Sequence, residues 1–170
     1  MPTPDNIRLL VCDIDGVLTD GSIFIADDGL ELRRFHVRDG LGIKLAQSHG
    51  LMIGVISGRC TRSATLRLHG LGIRLIMQGQ KDKGLSLQKL CEQAGVPATY
   101  AAFLGDDLID LPALQRCGYP MAVADAVEEV RKVSSYVTHA PGGRGAVREA
   151  IEHLLKAQGK WSQVVVEFNI

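Results

Sequence analysis

The chain lacks an excess of charge of either sign: nineteen lysines and arginines balance nineteen aspartates and glutamates over 170 residues. A neutral molecule sets up no overall field to gather nucleic acid or an anionic membrane, so any anion must be caught by a local cluster of side chains. The expected partner is a small molecule. Cysteine offers no scaffold either, because Cys12, Cys60, Cys91 and Cys117 form no CxxC pair and no disulfide-framework spacing. No charged-then-apolar leader opens the chain, and these features together predict a reduced, cytoplasmic protein. The longest apolar runs are strand-sized, well short of the roughly 20 residues that span a bilayer, so no membrane role is expected. His36, His49, His69, His139 and His153 show no metal-ligand spacing. There is no linker, repeat or low-complexity tract, and 170 residues at 46% hydrophobic predict one domain, residues 1–170, with a sizeable core.

What is present is an alternation of short β-type runs with helical patterns. Ile7–Cys12, Met52–Ile56, Arg74–Met77, Tyr100–Leu104 and Tyr119–Val123 read as strands. Between them, Gly40–His49, Thr61–His69, Lys83–Ala94, Leu108–Arg116, Ala126–Lys132 and Ala146–Gln158 carry apolar residues at three- and four-residue spacing, as in Leu85, Leu87, Leu90 and Ala94. Such an alternation predicts an α/β fold whose parallel sheet is covered by helices on both faces. One segment breaks the rhythm. Between Asp20 and Val37, Ser-Ile-Phe-Ile-Ala, Asp27-Asp28-Gly29 and Glu-Leu-Arg-Arg-Phe read as a hairpin with an Asp-Gly turn. Its apolar residues Ile23, Phe24, Ile25, Leu30, Leu32 and Phe35 make it marginal alone in water, so it wants a partner surface.

Open α/β sheets bind ligands outside the carboxyl ends of their strands, and here those ends carry polar residues. The first ends in Asp13-Ile14-Asp15, the second in Ser57-Gly58-Arg59, and the fourth in Gly105-Asp106-Asp107 followed by Asp110, while Lys83 opens a helix. Carboxylates this close repel, and burying them unpaired costs several kcal/mol. A cation must sit among them. Clustered aspartates without histidine or cysteine suit a hard divalent ion, and Mg²⁺ favours one or two carboxylates plus a substrate phosphate. Lys83 and the Ser57–Gly58 amides can hold the remaining phosphoryl oxygens, and an aspartate can attack phosphorus to form an aspartyl-phosphate.

In order and spacing, Asp13-x-Asp15-Gly-Val-Leu-Thr, hydrophobic-Ser57-Gly-Arg, Lys83 and Gly-Asp106-Asp107-x-x-Asp110 resemble the four motifs of haloacid-dehalogenase-type (HAD) phosphatases. The chain is similar more closely to one branch, the 3-deoxy-D-manno-octulosonate 8-phosphate (KDO 8-phosphate) phosphatases. That likeness rests on Phe35-His-Val-Arg-Asp-Gly-Leu-Gly42, Gly-Asp-Asp-Leu-Ile-Asp-Leu-Pro112, Ala122-Val-Ala-Asp-Ala126 and Gly142-Gly-Arg-Gly-Ala-Val-Arg-Glu149. The resemblance implies a three-layer Rossmann-like fold with a β-hairpin flap in place of a cap domain. It also implies a Mg²⁺-dependent phosphatase of lipopolysaccharide precursor biosynthesis. Asp13 would be the nucleophile. Mg²⁺ would be held by a carboxylate oxygen of Asp13, the backbone carbonyl of Asp15 and Asp106, with Asp107 and Asp110 orienting metal waters or Lys83. Asp15 would protonate the leaving alkoxide and then deprotonate the attacking water, while Ser57 and Lys83 stabilise the transferring phosphoryl.

By the same resemblance the protein would be a homotetramer whose flap hairpins pack together. His36, Val37, Arg38, Asp39 and Gly40 would help enclose substrate across a subunit boundary, and Gly58 would line the phosphate site. Lys44, Arg59 and Arg67 would be candidates to bind the carboxylate and hydroxyls of an acidic sugar. The tail departs from the family pattern, in which a Gly- or Ser-containing end reaches a neighbour's site; here Val164–Phe168 reads as an added edge strand or a disordered end.

Each residue taken singly has a plainer explanation. An aspartate after a strand is commonly a helix cap or turn former, Ser-Gly a turn, and a lysine at a helix start a solvated charge; only their company points to chemistry. Basic residues such as Lys44 and Arg67 on helices usually reach to water, and Cys12 and Cys60 are small hydrophobes beside the motifs. Three functions fit the residues: hydrolysis of KDO 8-phosphate, hydrolysis of a nine-carbon acidic sugar 9-phosphate, or a non-catalytic oligomerisation module like those attached to sugar-nucleotide synthetases. The intact Asp15 argues against the third.

Overall fold

The computed structural model describes residues 3–168. The strands are β1 (Leu9–Cys12), β2 (Phe24–Ile25), β3 (Glu31–Leu32), β4 (Met52–Ile56), β5 (Leu75–Met77), β6 (Ala101–Gly105), β7 (Tyr119–Ala122) and β8 (Tyr136–Val137). The helices are α1 (Val37–Ser48), α2 (Arg62–Gly70), α3 (Lys83–Ala94), α4 (Leu111–Leu114), α5 (Glu128–Val133), α6 (Ala146–Ala157) and α7 (Trp161–Val166). Six strands form one sheet in the order β5-β4-β1-β6-β7-β8, and every pairing in it is parallel. Leu9 to Cys12 are all fully buried, so both faces of β1 are covered, as parallel strands require. Helix α1 packs on α6, α3 packs on α4, and both α1 and α3 touch β4. Along α6, Ala146, Val147, Ala150, Ile151, Leu154 and Leu155 are buried, the stripe that a helix lays on a core.

The register fixes where the chemistry lies. Cys12 pairs with Val55 on one side and Leu104 on the other, so Asp13, Ser57 and Asp106 leave the sheet at one rim. The chain winds outward from β1 in both directions, and the crevice between the two windings opens at this rim.

The hairpin stands where sequence placed it. Phe24 pairs with Leu32 and Ile25 with Glu31. Its neck is closed by a bridge from Thr19 to Phe35 and an ion pair between Asp20 and Arg34, and its tip by Gly29 at a φ of +81°. Ile25 is 74% exposed, and Phe24, Leu30 and Leu32 are more than half exposed.

Three sequence expectations need correction. Residues Leu108–Arg116 are not one helix: a 3₁₀ turn, Leu108–Asp110, precedes the single turn of α4, because the side chains of Asp107 and Asp110 cap the first turn and set its geometry. The stripe of α3 runs through Leu87, Leu90 and Cys91, whereas Leu85 faces water. Val164–Phe168 is neither edge strand nor disordered end; α7 covers Trp161–Val166 with Val164 buried in the core. Asn169 and Ile170, the end of the tail, lie outside the described residues. The short strand β8, which carries the sheet past β7, had no counterpart in the sequence reading.

Candidate active site

Asp13 follows directly on β1, its amide donating to the Leu104 carbonyl at 3.1 Å. The next turn, Ile14 to Thr19, is closed by the Thr19 amide donating to Ile14 O at 2.9 Å and passes through Gly16 at a φ of +87°. A Cβ on Gly16 would stand 2.0 Å from Asp106 Oδ2, so only glycine lets that carboxylate reach the turn. Lys83 begins α3, where Asp82 caps the helix by accepting from the Leu85 amide at 2.9 Å. Its ammonium is buried between two carboxylates, 2.9 Å from Asp13 Oδ2 and 2.6 Å from Asp110 Oδ1. The other oxygen of Asp110 accepts from the Asp106 amide at 2.9 Å and the Asp107 amide at 3.4 Å. Ser57 is buried at the end of β4, and its Oγ accepts from the Arg59 amide at 3.2 Å.

Carboxylate oxygens of Asp13, Asp106 and Asp110 lie within 4.8 Å of one another. Burial, reinforced by Asp110 against the opposing pull of Lys83, pushes the Asp13 carboxyl up to about 7. Burial, with Asp110 and Asp13, pushes Asp106 up to about 8. For Lys83, burial opposes the charge, but Asp13 and Asp110 outweigh it and hold the ammonium above its ordinary value. One ammonium does not balance two buried acids and the half-buried Asp106, so the donor set fits a hard divalent cation. Both oxygens of Asp110 are already engaged, which leaves Asp13 and Asp106 as the carboxylates free to hold such an ion and Asp110 as the residue that aligns Lys83 and the loop.

A cleft of about 270 Å³ opens here, lined by Asp13, Asp15, Gly16, Gly21, Ser57, Gly58, Arg59, Asp106, Asp107 and Ile109. A Cβ on Gly58 would meet protein atoms only at ordinary contact distance, so its missing side chain leaves room in the cleft. Asp107 lines the mouth while its Oδ1 accepts from the Leu108 amide at 2.7 Å.

Other residues singled out from sequence stand apart from this cleft. Asp39 is buried and caps α6, accepting from the amides of Gly145 at 3.3 Å and Arg148 at 2.8 Å, so within its own chain its carboxylate is occupied by a helix end. Arg38 borders a separate hollow with Arg144 and Arg148. Val37 and Lys44 are exposed on α1. The Arg67 guanidinium lies 6.0 Å from the Phe35 ring and against Gly40, where a Cβ would stand 2.4 Å from its NH2. Arg67 Nε and His36 Nδ1 are buried without a partner among the described residues. Arg59, by contrast, lines the cleft and reaches from it to the flap, donating to Glu31 Oε2 at 2.7 Å.

Sequence reasoning missed Glu31 and Arg33. Arg33 NH1 lies 2.9 Å from Asp15 Oδ1, and its Nε donates to Glu31 Oε1 at 2.8 Å. The signal was the alternation from Glu31 to Phe35, in which the exposed positions are Leu32 and Arg34 while Glu31, Arg33 and Phe35 turn inward.

A parallel α/β sheet with an aspartate pair, a Ser-Gly turn, a buried lysine and a further aspartate cluster at one rim defines a haloacid-dehalogenase-like hydrolase, and residues 69–151 match that family. Over 160 residues the chain is 44% identical to the 3-deoxy-D-manno-octulosonate 8-phosphate phosphatase KdsC of Salmonella typhi, which covers 94% of this chain and 85% of that protein. Among solved structures, the phosphatase of that name from Moraxella catarrhalis, in complex with magnesium ion, phosphate ion and KDO, superposes with a TM-score of 0.94 at 38% identity, covering 97% of this chain and 95% of that one. The cobalt-bound form of the Haemophilus influenzae phosphatase gives 0.91 at 42% identity, covering 94% and 93%. The chain belongs to the KDO 8-phosphate phosphatase family and is a phosphoric monoester hydrolase.

Proposed function

We propose that this protein hydrolyses KDO 8-phosphate to KDO and inorganic phosphate in lipopolysaccharide precursor biosynthesis, with Mg²⁺ as its cofactor. The observation that carries the reading is the cluster of a buried Asp13 and a half-buried Asp106, each keeping an oxygen clear of Lys83, beside an Asp110 with both oxygens engaged, in a chain 44% identical to a phosphatase of that name. Asp13, the Asp15 backbone carbonyl and Asp106 would hold the ion. When bound, it neutralises the acid cluster and the phosphate charge, which lets an anion approach an anion.

Asp13 attacks phosphorus, and the bond from phosphorus to the sugar oxygen breaks. Asp15 gives its proton to that oxygen, then takes one from the water that opens the aspartyl-phosphate. Lys83, the Ser57 hydroxyl and the Gly58 amide hold the phosphoryl oxygens as charge builds. Arg59, Lys44 and Arg67 select an acidic sugar, and the segment His36–Gly40 encloses it from a neighbouring subunit.

The assembly proposed is a homotetramer joined through the flaps, supported by the exposed apolar residues Phe24, Ile25, Leu30 and Leu32. Residues 1–170 act as one domain. No helix among the described residues is long and apolar enough to cross a membrane, and the four cysteines are free, which supports a cytoplasmic site of action. Phosphate release from KDO 8-phosphate and from a nine-carbon acidic sugar 9-phosphate, each with and without chelator, tests the reading. Preference for the eight-carbon substrate and loss of turnover on chelation are expected. Preference for the nine-carbon ester would reassign the substrate, and no hydrolysis of either in Mg²⁺ would favour an oligomerisation module.

A further inference from the structure

We infer that Arg33, on the flap, is the positioning residue for the Asp15 carboxyl, holding it in the orientation from which it passes a proton to the leaving sugar oxygen. The inference rests on the reading of Asp15 as acid and base. Arg33 is almost fully buried, at 1% side-chain exposure, beside an Asp15 side chain that keeps 25%. Burying a guanidinium is costly unless it is paired on more than one side. Here one edge meets Asp15 Oδ1 at 2.9 Å, and the opposite edge is held by Glu31 Oε1, 2.8 Å from Nε. Glu31 is anchored in turn by Arg59 at the cleft wall, 2.7 Å from Oε2. The base of the hairpin is pinned independently by the Thr19–Phe35 bridge and the Asp20–Arg34 pair. Arg33 is therefore not needed to close the neck.

Among the described residues Arg33 is the one side chain in an ion pair with the Asp15 carboxyl. The contact is to a single oxygen. That leaves Oδ2 to carry the proton, while the tethered Oδ1 fixes the torsion that aims it into the cleft. During the first step the electron pair of the breaking phosphorus–oxygen bond stays on the sugar oxygen, which accepts the Asp15 proton; in the second step the same carboxylate takes a proton from water. Both transfers need hydrogen-bonding distance from one fixed direction. A freely turning carboxyl meets that condition only part of the time.

The two roles open to Arg33, fastening the flap and aiming Asp15, differ in their dependence on the leaving group. A sugar alkoxide must be protonated to depart, whereas 4-nitrophenolate departs without help. The experiment measures single-turnover rates of Arg33→Gln, Arg33→Lys, Asp15→Asn and the double variant Arg33→Gln/Asp15→Asn, on KDO 8-phosphate and on the burst of 4-nitrophenolate from 4-nitrophenyl phosphate. Arg33→Gln is expected to slow the sugar phosphate roughly 10- to 100-fold while the burst stays within about 3-fold. Arg33→Lys, which keeps a charge between Asp15 and Glu31, should recover most of the loss. Added to Asp15→Asn, Arg33→Gln should cost less than about 3-fold more, because it acts through a group already removed. Equal losses on both substrates, or full additivity in the double variant, would overturn the inference and leave Arg33 a fastener of the flap. If Asp15→Asn itself slowed both substrates equally, the assignment of Asp15 would fall, and this inference with it.

Discussion

At the scale of single residues, Asp110 shows how a side chain with no surface of its own controls a site. It is fully buried, yet it anchors Lys83 at 2.6 Å and the amides of Asp106 and Asp107 at 2.9 and 3.4 Å. Gly105 makes room for it, since a Cβ there would stand 2.6 Å from Asp110 Oδ2. Asp110→Ala removes one negative charge from a crowded cluster, which favours folding, but strands two amides and half of a buried ion pair. Lost partners in buried networks cost about 3 kcal/mol or more, so net destabilisation of that order is expected in urea unfolding. The rate constant should fall more than substrate affinity as Lys83 drifts, and Asp110→Asn, which keeps an acceptor, should lie between. An unchanged unfolding midpoint would show that Lys83 and the loop are held by other means. The motif residues around this cluster were legible because their spacing puts them at strand ends. Asp39 was not: its partners are amides 106 and 109 residues along the chain, and no local pattern distinguishes a distant helix cap from a ligand.

Elements were legible where a period was strong and illegible where tertiary packing overrode it. Met52–Ile56 and Lys83–Ala94 have the bounds their patterns predicted. The valine-rich tail reads as strand by propensity but folds as helix α7. Val164 is buried there, and Trp161 lies under Arg148 and Lys156 at 5.1 and 5.5 Å, so burial decides what propensity does not. The flap shows the reverse of the usual alternation, with leucine outward and charged residues inward, because its inner face pairs with Asp15 and Arg59 at the cleft. Its outward face, which carries the cross-strand partners Phe24 and Leu32 at 57% and 53% exposure, is what a neighbouring subunit would cover. In Phe24→Asp/Leu32→Asp, the circular dichroism of the separated chain should match that of wild type, since these side chains are exposed within one chain and such changes are nearly neutral to its fold. Sedimentation should show the assembly dissociated, and an intact assembly would remove the flaps from its interface.

At the scale of the whole molecule, a chain without net charge concentrates acid at one rim, and that imbalance links stability to pH and metal. Unfolded, Asp13 and Asp106 titrate near about 3.9; folded without metal, burial and neighbouring carboxylates raise them to about 7 and about 8. From about pH 4 to 8 the metal-free native state binds more protons than the unfolded chain. The stability these two groups contribute is therefore complete below the unfolded value and is lost as pH rises through the folded ones. Magnesium binds their ionised forms, so its affinity grows over the same interval as protons leave. His153, whose value burial lowers, adds a slope of opposite sign as pH falls, and for that reason the readout is the increment due to Mg²⁺ at each pH, in which such background cancels. Melting curves at pH 5 and pH 8 should show little rise in midpoint with MgCl₂ at the lower pH and a rise of several degrees at the higher. Equal increments at both would mean that the ion binds without displacing protons, and that Asp13 and Asp106 are ionised before it arrives.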